Sequence, residues 1–158
     1  MAQQLWLLRH GEAEPHDARP DFDRRLTDRG RVQSTAAGRA LAALKLEFHM
    51  VFTSPRVRAR DTALLACAEL GIEPVGHDAL GGGFDAREAL ALLAAAGGEQ
   101  RVLVVGHEPD FSTVVGDLTG ARIDMKKGGL AGVRIDGAAG ELIVLLRPRE
   151  IDRLALAR

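Results

Sequence analysis

Residues 5–12 read Leu-Trp-Leu-Leu-Arg-His-Gly-Glu, four apolar residues that stop abruptly at Arg9 and His10. A continuous apolar run before a glycine is typical of a buried strand in a sheet that helices cover on both faces. Ligands of such sheets bind where the strands end. Gly11 has no Cβ, so the backbone can turn sharply there and a bound group can come close. The stretch therefore predicts a strand that brings Arg9 and His10 to a binding site.

Two further apolar runs end in the same way. Residues 102–106 are followed by His107, and residues 50–53 are followed by Ser-Pro-Arg-Val-Arg at 54–58. In a parallel sheet the carboxyl ends of the strands lie side by side. A lone histidine at a strand end is more often a hydrogen-bonded loop residue, so it is the recurrence that favours a catalytic site. We expect histidine and arginine side chains from three strand ends to meet at one edge of the sheet.

The order of these motifs resembles the histidine phosphatase superfamily, whose fold is phosphoglycerate mutase-like. The resemblance rests on Arg-His-Gly at 9–11, Ser-Pro-x-x-Arg-Ala at 54–59 and Gly-His at 106–107. With Arg-Leu-Thr at 25–27 and the short spacing between motifs, the chain looks most similar to the SixA-type phosphohistidine phosphatase branch. The resemblance spans residues 5–147. It implies an α/β three-layer sandwich, with a mostly parallel central sheet of about six strands, one of them antiparallel, and helices on both faces.

Length and turn signals agree with such a fold. A chain of 158 residues fits one domain, and we expect a single histidine phosphatase domain over residues 1–158. Residues 130–135 and 141–146 are two strand-like runs joined by an Asp-Gly turn, which predicts a hairpin and therefore a mixed sheet. In the tail, apolar Ile151, Leu154 and Leu156 are compatible with a short docked helix or with a contact to a partner.

Capping signals predict where the helices begin and end. Ser-Pro at 54–55 predicts the start of a helix that ends at Gly71, and further helices are predicted over residues 86–96 and from Pro109 onward. Thr27 is the expected N-cap of a helix whose apolar residues recur at helical spacing. These residues are Val32, Ala36, Ala40, Leu41 and Leu44.

Composition limits the functional classes. The chain is 46% hydrophobic and 27% charged, as in an ordinary globular protein, and its net charge of -1 gives no electrostatic reason to expect a nucleic-acid or membrane partner. It shows no signal-like N-terminal segment and no apolar run long enough to span a bilayer. Because Cys67 is the only cysteine, no internal disulfide can form. We therefore expect a cytoplasmic protein.

Arg58 is the arginine best placed to bind an anion. It lies in the predicted first turn of its helix, where free backbone N–H groups and the helix dipole favour negative charge. Arg56 and Arg60 are two residues to either side, so they should point elsewhere and act as surface charges. In the family an arginine before Leu-Thr helps to bind phosphate, so the resemblance implies this role for Arg24 or Arg25. The usual family spacing favours Arg24, and Arg25 stays open.

The resemblance implies a phosphatase that forms a covalent phosphohistidine intermediate. A phosphoryl group in transfer carries negative charge on its oxygens, so catalysis needs positioning and fixed positive charge. Arg9, Arg24 and Arg58 can supply guanidinium donors, and His107 adds a further donor. His10 would attack phosphorus as neutral imidazole, with its other ring nitrogen fixed by a hydrogen bond that we expect it to donate to a nearby backbone carbonyl. We expect no cofactor and no metal ion.

No carboxylic acid stands out as a proton donor to the leaving group. Glu108, directly after His107, is a possible acid, and Asp85 is another candidate. An alkoxide needs a proton to depart, whereas imidazole leaves far more readily. The pattern therefore favours phosphohistidine on a protein as the substrate, with small phosphate esters such as sugar or nucleotide phosphates as the alternative.

Two other classes of function stay open. A non-catalytic phosphate-binding or interaction module could keep the same pocket without turning over a substrate. A metal hydrolase is disfavoured, because no two of the five histidines have the helical spacing His-x-x-x-His. These histidines are His10, His16, His49, His77 and His107. The expected partner is a phosphorylated protein with a phosphohistidine domain, or a small phosphorylated molecule.

Overall fold

A computed structural model describes residues 3–98 and 100–157 of the chain. Within them the central sheet has six strands: β1 Gln3–Arg9, β2 Met50–Thr53, β3 Val75–Gly76, β4 Arg101–Gly106, β5 Leu130–Asp136 and β6 Ala139–Leu146. The same residues form five α-helices: α1 Asp28–Ala43, α2 Val57–Leu70, α3 Ala86–Ala96, α4 Asp110–Thr119 and α5 Pro148–Ala155. Short 3-10 turns occur at Asp21–Asp23 and Asp78–Gly81.

The strand order explains how distant residues meet. It is β3-β2-β4-β1-β5-β6, with β5 antiparallel to both of its neighbours and the other neighbouring pairs parallel. The predicted sheet of six strands with one antiparallel strand is therefore confirmed. Arg9 pairs with Gly106 and Thr53 pairs with Val105, so the carboxyl ends of β1, β4 and β2 lie side by side.

Both faces of the sheet are covered by helices. Successive side chains of a strand point to opposite faces, and β1 uses both. Leu5 and Leu7 pack in a core with residues of α3 and α4. Trp6 and Leu8 pack in a second core with residues of α1, α2 and α5. This three-layer arrangement is why the first strand reads as an uninterrupted apolar run.

Helix α1 begins as predicted but buries a narrower face. The Thr27 hydroxyl accepts the backbone N–H of Gly30, which confirms the N-cap. The predictions for Val32 and Leu44 are wrong, because Val32 is 67% exposed and Leu44 is an exposed C-cap residue. The buried face of α1 is a stripe of alanines with one leucine. These small side chains let α1 pack closely against α2 and the sheet. The buried apolar residues are Ala36, Ala37, Ala40 and Leu41.

Helix α2 begins later than the Ser-Pro pair suggests. Its first residue is Val57, and Arg56 before it has an extended backbone. The predicted start at residues 54–55 is wrong because the Ser54 hydroxyl bonds to His107 and to the Arg56 N–H, within a turn that precedes the helix. The predicted end is confirmed, since Gly71 adopts a left-handed conformation with φ of 70°.

The C-terminal third completes the sheet and the second core. Strands β5 and β6 form the predicted hairpin, with Gly137 at φ of 68° in the turn. The tail forms α5, and Ile151 is buried in the same core as Trp6. Of the two readings of the tail, the docked helix is therefore the one observed. No helix in the described part of the chain is both long and apolar enough to cross a membrane.

Candidate active site

Two histidines nearly a hundred residues apart in sequence face each other at the edge of the sheet. His10 follows β1 and His107 follows β4, and the pairing of these strands brings them together. Their ring centroids are 5.3 Å apart and both side chains are buried. The predicted meeting of histidines at strand ends is therefore observed.

His10 is held in one tautomer by its own loop. Its Nδ1 atom lies 2.7 Å from the carbonyl oxygen of Gly11. A carbonyl can only accept, so Nδ1 carries the proton and Nε2 keeps its lone pair. Burial, together with the nearby charges of Arg58 and Arg9, lowers the pKa of His10 to about 3, although the bond to Gly11 acts in the opposite direction. The ring is therefore neutral at physiological pH.

His107 is oriented by the turn before α2. Its Nε2 atom is 2.7 Å from Ser54 Oγ, which also accepts the backbone N–H of Arg56. Because Ser54 Oγ already accepts one proton, its own O–H can donate to Nε2, and the proton of neutral His107 is then on Nδ1. Burial and the charges of Arg58 and Arg56 lower the pKa of His107 to about 4.

Two arginines, the half-buried Arg9 and the buried Arg58, lie near the two rings. The guanidinium of Arg9 donates to the carbonyl oxygen of Met125 at 2.8 Å. Arg58, in the first turn of α2, donates to the backbone oxygen and the carboxylate of Asp21 at 2.7 and 3.3 Å. Burial lowers the pKa of both arginines from the usual value, while their acidic neighbours raise it. Arginine still stays charged at any working pH.

Arg24 and Arg25 differ in burial and in their contacts. Arg24 is 7% exposed, donates to the Glu14 carbonyl at 2.7 Å, and bonds to the Asp21 carboxylate through Nε and a terminal nitrogen. Arg25 is exposed. Since Arg58 binds the same carboxylate, Arg24 is the member of the pair that lies beside Arg58.

Arg56 is not the isolated surface charge that its sequence position suggested. It donates to the Gly81 carbonyl and to the Asp21 carboxylate, both at 2.6 Å, because the extended backbone before α2 turns its side chain toward these loops. Arg60 is exposed and lies near Asp61, as expected for a surface charge. The prediction for Arg56 is wrong and that for Arg60 is confirmed.

Asp21 is a residue of this site that sequence reasoning missed. Its carboxylate contacts three arginines: Arg24, Arg56 and Arg58. Desolvation works against its charged form, but these ion pairs outweigh it and lower the pKa of Asp21. It comes from a loop rich in alternating charges, where no periodicity marks one acid among many.

Three nitrogen atoms of the site are buried and form no hydrogen bond with any described residue. They are Nε of Arg9, Nε of Arg58 and Nδ1 of His107. Buried polar atoms are nearly always paired, and these three belong to the elements that enclose His10. The site can therefore offer further hydrogen bonds to an anion.

The two carboxylates considered as acids have other partners. Glu108 accepts the backbone N–H of Ser112 at 2.7 Å and also the Ser112 hydroxyl, so it caps α4. Its charge also raises the pKa of the nearby Arg9. Asp85 accepts the N–H of Glu88 at 2.9 Å and is the N-cap of α3. Each carboxylate therefore has a structural role at a helix start.

The histidines outside the site do not gather around a common centre. His49 accepts the N–H of Arg101 at 3.2 Å, and His77 stacks edge-on with Phe52. Among the residues that the structure describes, no group of three or more histidine, cysteine, aspartate or glutamate side chains could hold a metal ion.

Comparison with known proteins agrees with this geometry. The sequence model of the histidine phosphatase superfamily (branch 1) matches residues 5–81. An uncharacterized protein of Picosynechococcus sp. is 34% identical, with 92% of this chain and 97% of that protein covered. The structure of the protein histidine phosphatase SixA complexed with tungstate superimposes with a TM-score of 0.85 at 26% identity, covering 94% of this chain and 99% of that chain.

The same fold also occurs in phosphatases of small molecules. A mycobacterial glucosyl-3-phosphoglycerate phosphatase superimposes with a TM-score of 0.73 at 18% identity, over 93% of this chain and 100% of that chain. At that identity the likeness concerns the fold alone. With its motifs, its mixed sheet and its paired histidines, this chain belongs to the histidine phosphatase superfamily of phosphatases, in the SixA-like branch.

Proposed function

We propose that this phosphatase removes phosphate from phosphohistidine on a protein through a covalent phosphohistidine at His10. The observation that carries the proposal is the pair of buried imidazoles, with ring centroids 5.3 Å apart, near the half-buried Arg9 and the buried Arg58. One neutral ring with a free lone pair and a set of fixed donors are the two requirements of this chemistry.

In the first step Nε2 of His10 attacks phosphorus. The bond from Nδ1–H to Gly11 leaves the Nε2 lone pair available, and the lowered pKa keeps it unprotonated. A new N–P bond forms as the P–N bond of the substrate breaks, and its electron pair goes to the departing imidazole. Arg9, Arg24, Arg58 and His107 are the proposed phosphate ligands, since they can donate to the three oxygens as charge develops.

The leaving group explains why no dedicated acid is needed. A phosphorylated imidazole can carry a proton on the nitrogen remote from phosphorus, so the ring departs as neutral imidazole. An alkoxide has no such route and requires proton donation as the bond breaks. A site in which Glu108 is held by Ser112 therefore suits a P–N bond better than an ester.

In the second step water attacks the phosphorylated His10. The N–P bond breaks, its electron pair returns to Nε2, and His10 departs as the neutral Nδ1–H tautomer that Gly11 stabilises. The water contributes oxygen to inorganic phosphate and releases its proton to phosphate or solvent. The enzyme returns to its starting state without a cofactor, and we propose that it needs no metal ion.

The proposal also concerns the compartment in which the protein acts and the partner that it binds. We propose a cytoplasmic signalling role, because a chain with one free, buried cysteine is compatible with a reducing compartment. The partner would be a protein that carries phosphohistidine. Activity that survives a chelator is expected, and its loss on chelation with recovery on added metal would contradict metal independence.

The test compares substrates at equal concentration. Phosphate release is measured from a phosphohistidine protein and from sugar and nucleotide phosphates, with His10→Ala as the inactive control and tungstate as a competing anion. We expect the phosphohistidine protein to have the highest kcat/KM. Faster turnover of esters would overturn the substrate assignment, and no turnover with retained tungstate binding would favour a non-catalytic phosphate-binding module.

The alternative is a phosphatase of small phosphate esters, and the position of Glu108 beside His107 and Arg9 is what favours it. If Glu108 protonates an alkoxide, Glu108→Gln should lower ester turnover by about a hundredfold and leave phosphoramidate hydrolysis nearly intact. If Glu108 only caps α4, both activities should change by less than about threefold, which is the result we expect. Initial rates with both substrate types decide between the two.

A further inference from the structure

A basic cavity of about 470 Å³ lies directly beside the candidate active site, with Arg9 in its wall. Six of its lining residues are cationic and only Glu12 is acidic. The cationic residues are Arg9, Arg29, Lys126, Lys127, Arg147 and Arg149. In a chain with a net charge of -1, such a concentration marks this face of the molecule as distinct. We call this surface the basic groove.

The sheet register explains why these cations gather there. Leu8 pairs with Leu130 and Leu130 pairs with Leu146, so the segments after β1, before β5 and after β6 reach the same edge. The Gly128 N–H donates to the carbonyl oxygen of His10 at 2.9 Å, which fixes the lysine-bearing turn against the active-site loop. The groove is therefore part of the scaffold that holds His10.

The groove keeps an excess of positive charge after its internal contacts are counted. Lys126 contacts Asp124 at 2.8 Å, Arg147 contacts Glu150 at 2.9 Å, and Arg149 lies 3.8 Å from the same glutamate. Arg29 lies 3.8 Å from Glu12. Glu108 also acts on Arg9, so six cations face four carboxylates and the groove keeps an excess of two positive charges.

The groove suits a large anionic surface better than a small enclosed ligand. The side chains of Arg29, Lys126 and Arg149 are between 59% and 76% exposed. Such exposed charges are well hydrated and bind a single small anion weakly. They act instead by attracting and orienting an oppositely charged surface, which raises the rate of association.

We propose that the basic groove docks an acidic segment of the phosphoprotein substrate, with carboxylates next to the phosphohistidine that enters the site. The proposal rests on the proposed function, since it identifies the kind of protein that presents the phosphohistidine. Aspartate or glutamate side chains would pair with Lys126, Lys127 and Arg149 while the phosphoryl group reaches His10. Because Arg9 borders both surfaces, the two parts of the substrate can bind together.

The test uses two synthetic peptides that contain phosphohistidine flanked either by glutamates or by glutamines. We expect kcat/KM for the acidic peptide to exceed that for the neutral peptide by about tenfold at low salt and to lose this advantage at high salt. In the double variant Lys126→Gln/Lys127→Gln the ratio of the two kcat/KM values should fall toward one. Lys45 is an exposed lysine just beyond the C-terminal end of α1, and Lys45→Gln is the matched control that should keep the ratio.

A binding measurement separates this proposal from the proposed function. The unphosphorylated acidic peptide is titrated into the wild type and the double variant at low salt. If both phosphohistidine peptides are hydrolysed with equal kcat/KM, the docking proposal is overturned and the proposed hydrolysis is unaffected. The same holds if the double variant keeps the wild-type ratio of the two kcat/KM values. Absence of hydrolysis together with lysine-dependent peptide binding overturns the proposed function and supports the groove. A free diphosphate that competes better than the acidic peptide would assign the groove to a second phosphate instead.

Discussion

At the scale of single residues, burial and hydrogen bonding set the chemistry of the two imidazoles. The pKa of His10 is lowered to about 3 and that of His107 to about 4, chiefly by desolvation. Both rings should therefore stay neutral over the range in which an exposed imidazole titrates. The nearby charges of Arg58 and Arg9 also disfavour protonation, so His10 keeps a lone pair available as a nucleophile.

An NMR titration can check these protonation states. We expect the ring signals of His10 and His107 to stay constant from about pH 8 to about pH 5, whereas an unperturbed imidazole titrates near pH ~6.5. Below that value the unfolded state binds more protons than the folded state, so the free energy of unfolding falls as pH decreases from about 6.5 toward 4. His10→Asn should make the free energy of unfolding less dependent on pH over this range. A midpoint near ~6.5 for His10 in the folded protein would contradict the account.

Arg24 and Arg25 give a matched pair for the phosphate ligands. Arg24→Ala should lower kcat/KM by about tenfold to a hundredfold, as expected for the loss of a charge-assisted hydrogen bond to the transferring group. Arg25→Ala removes an exposed charge and should change kcat/KM by less than about twofold. Steady-state kinetics measures both variants. Equal losses of kcat/KM in Arg24→Ala and Arg25→Ala would exclude Arg24 as a phosphate ligand.

At this scale the sequence predicted which histidines and arginines meet but not all of what holds them. His10 and His107 were found because each directly follows an apolar run, and strand ends are fixed by the sheet. Asp21 and the bond between Ser54 and His107 were missed, because they join a loop to a helix start through side chains. Neither contact leaves a periodic or spaced signal in the sequence.

At the scale of elements, close contact between helices supports the site. Gly38 of α1 lies against α2, where a Cβ would collide with the carbonyl oxygen of Ala66. Helix α2 carries Arg58 and also Thr62, whose hydroxyl accepts the N–H of Gly11 at 3.1 Å. The spacing of α1 and α2 therefore influences the loop that holds His10.

Two helical glycines test this contact. Gly38→Ala should lower the free energy of unfolding by about 1–3 kcal/mol, because a backbone carbonyl cannot yield and the overpacking outweighs the gain in helix propensity. Gly116→Ala in α4, where a Cβ would meet Ala121 at an ordinary 3.4 Å, should raise it by up to about 1 kcal/mol. Urea unfolding measures both. A higher free energy of unfolding for Gly38→Ala would show that α1 and α2 can move apart to make room for the added methyl group.

Helix boundaries were predictable where a local cap determines them. Thr27 and Gly71 act through their own side chain or backbone conformation, so their roles can be read from the sequence. The start of α2 could not, because Ser54 is engaged by a histidine from another strand. Val32 has the spacing of a core residue, but the buried stripe of α1 does not include it.

At the scale of the whole molecule, the sheet order joins the catalytic proposal to the docking proposal. Parallel pairing of β1 with β4 brings His10 to His107, and antiparallel pairing with β5 brings the lysine-bearing turn to the same edge. Five of the six strands of the described sheet were predictable from their apolar runs, whereas β3, two exposed residues long, was not. The basic groove was not, because its cations come from four separate segments whose proximity only the assembled sheet determines.

The central claim is that His10 carries the phosphoryl group during turnover, and rapid-quench mass spectrometry tests it most directly. The enzyme is mixed with a phosphohistidine protein, quenched in base within the first turnover, and digested. The account predicts an acid-labile, base-stable phosphate on His10 that forms and then decays, and that is missing in His10→Ala. Phosphate release without phosphorylated His10 at any time, or a phosphate found on another residue, would contradict it.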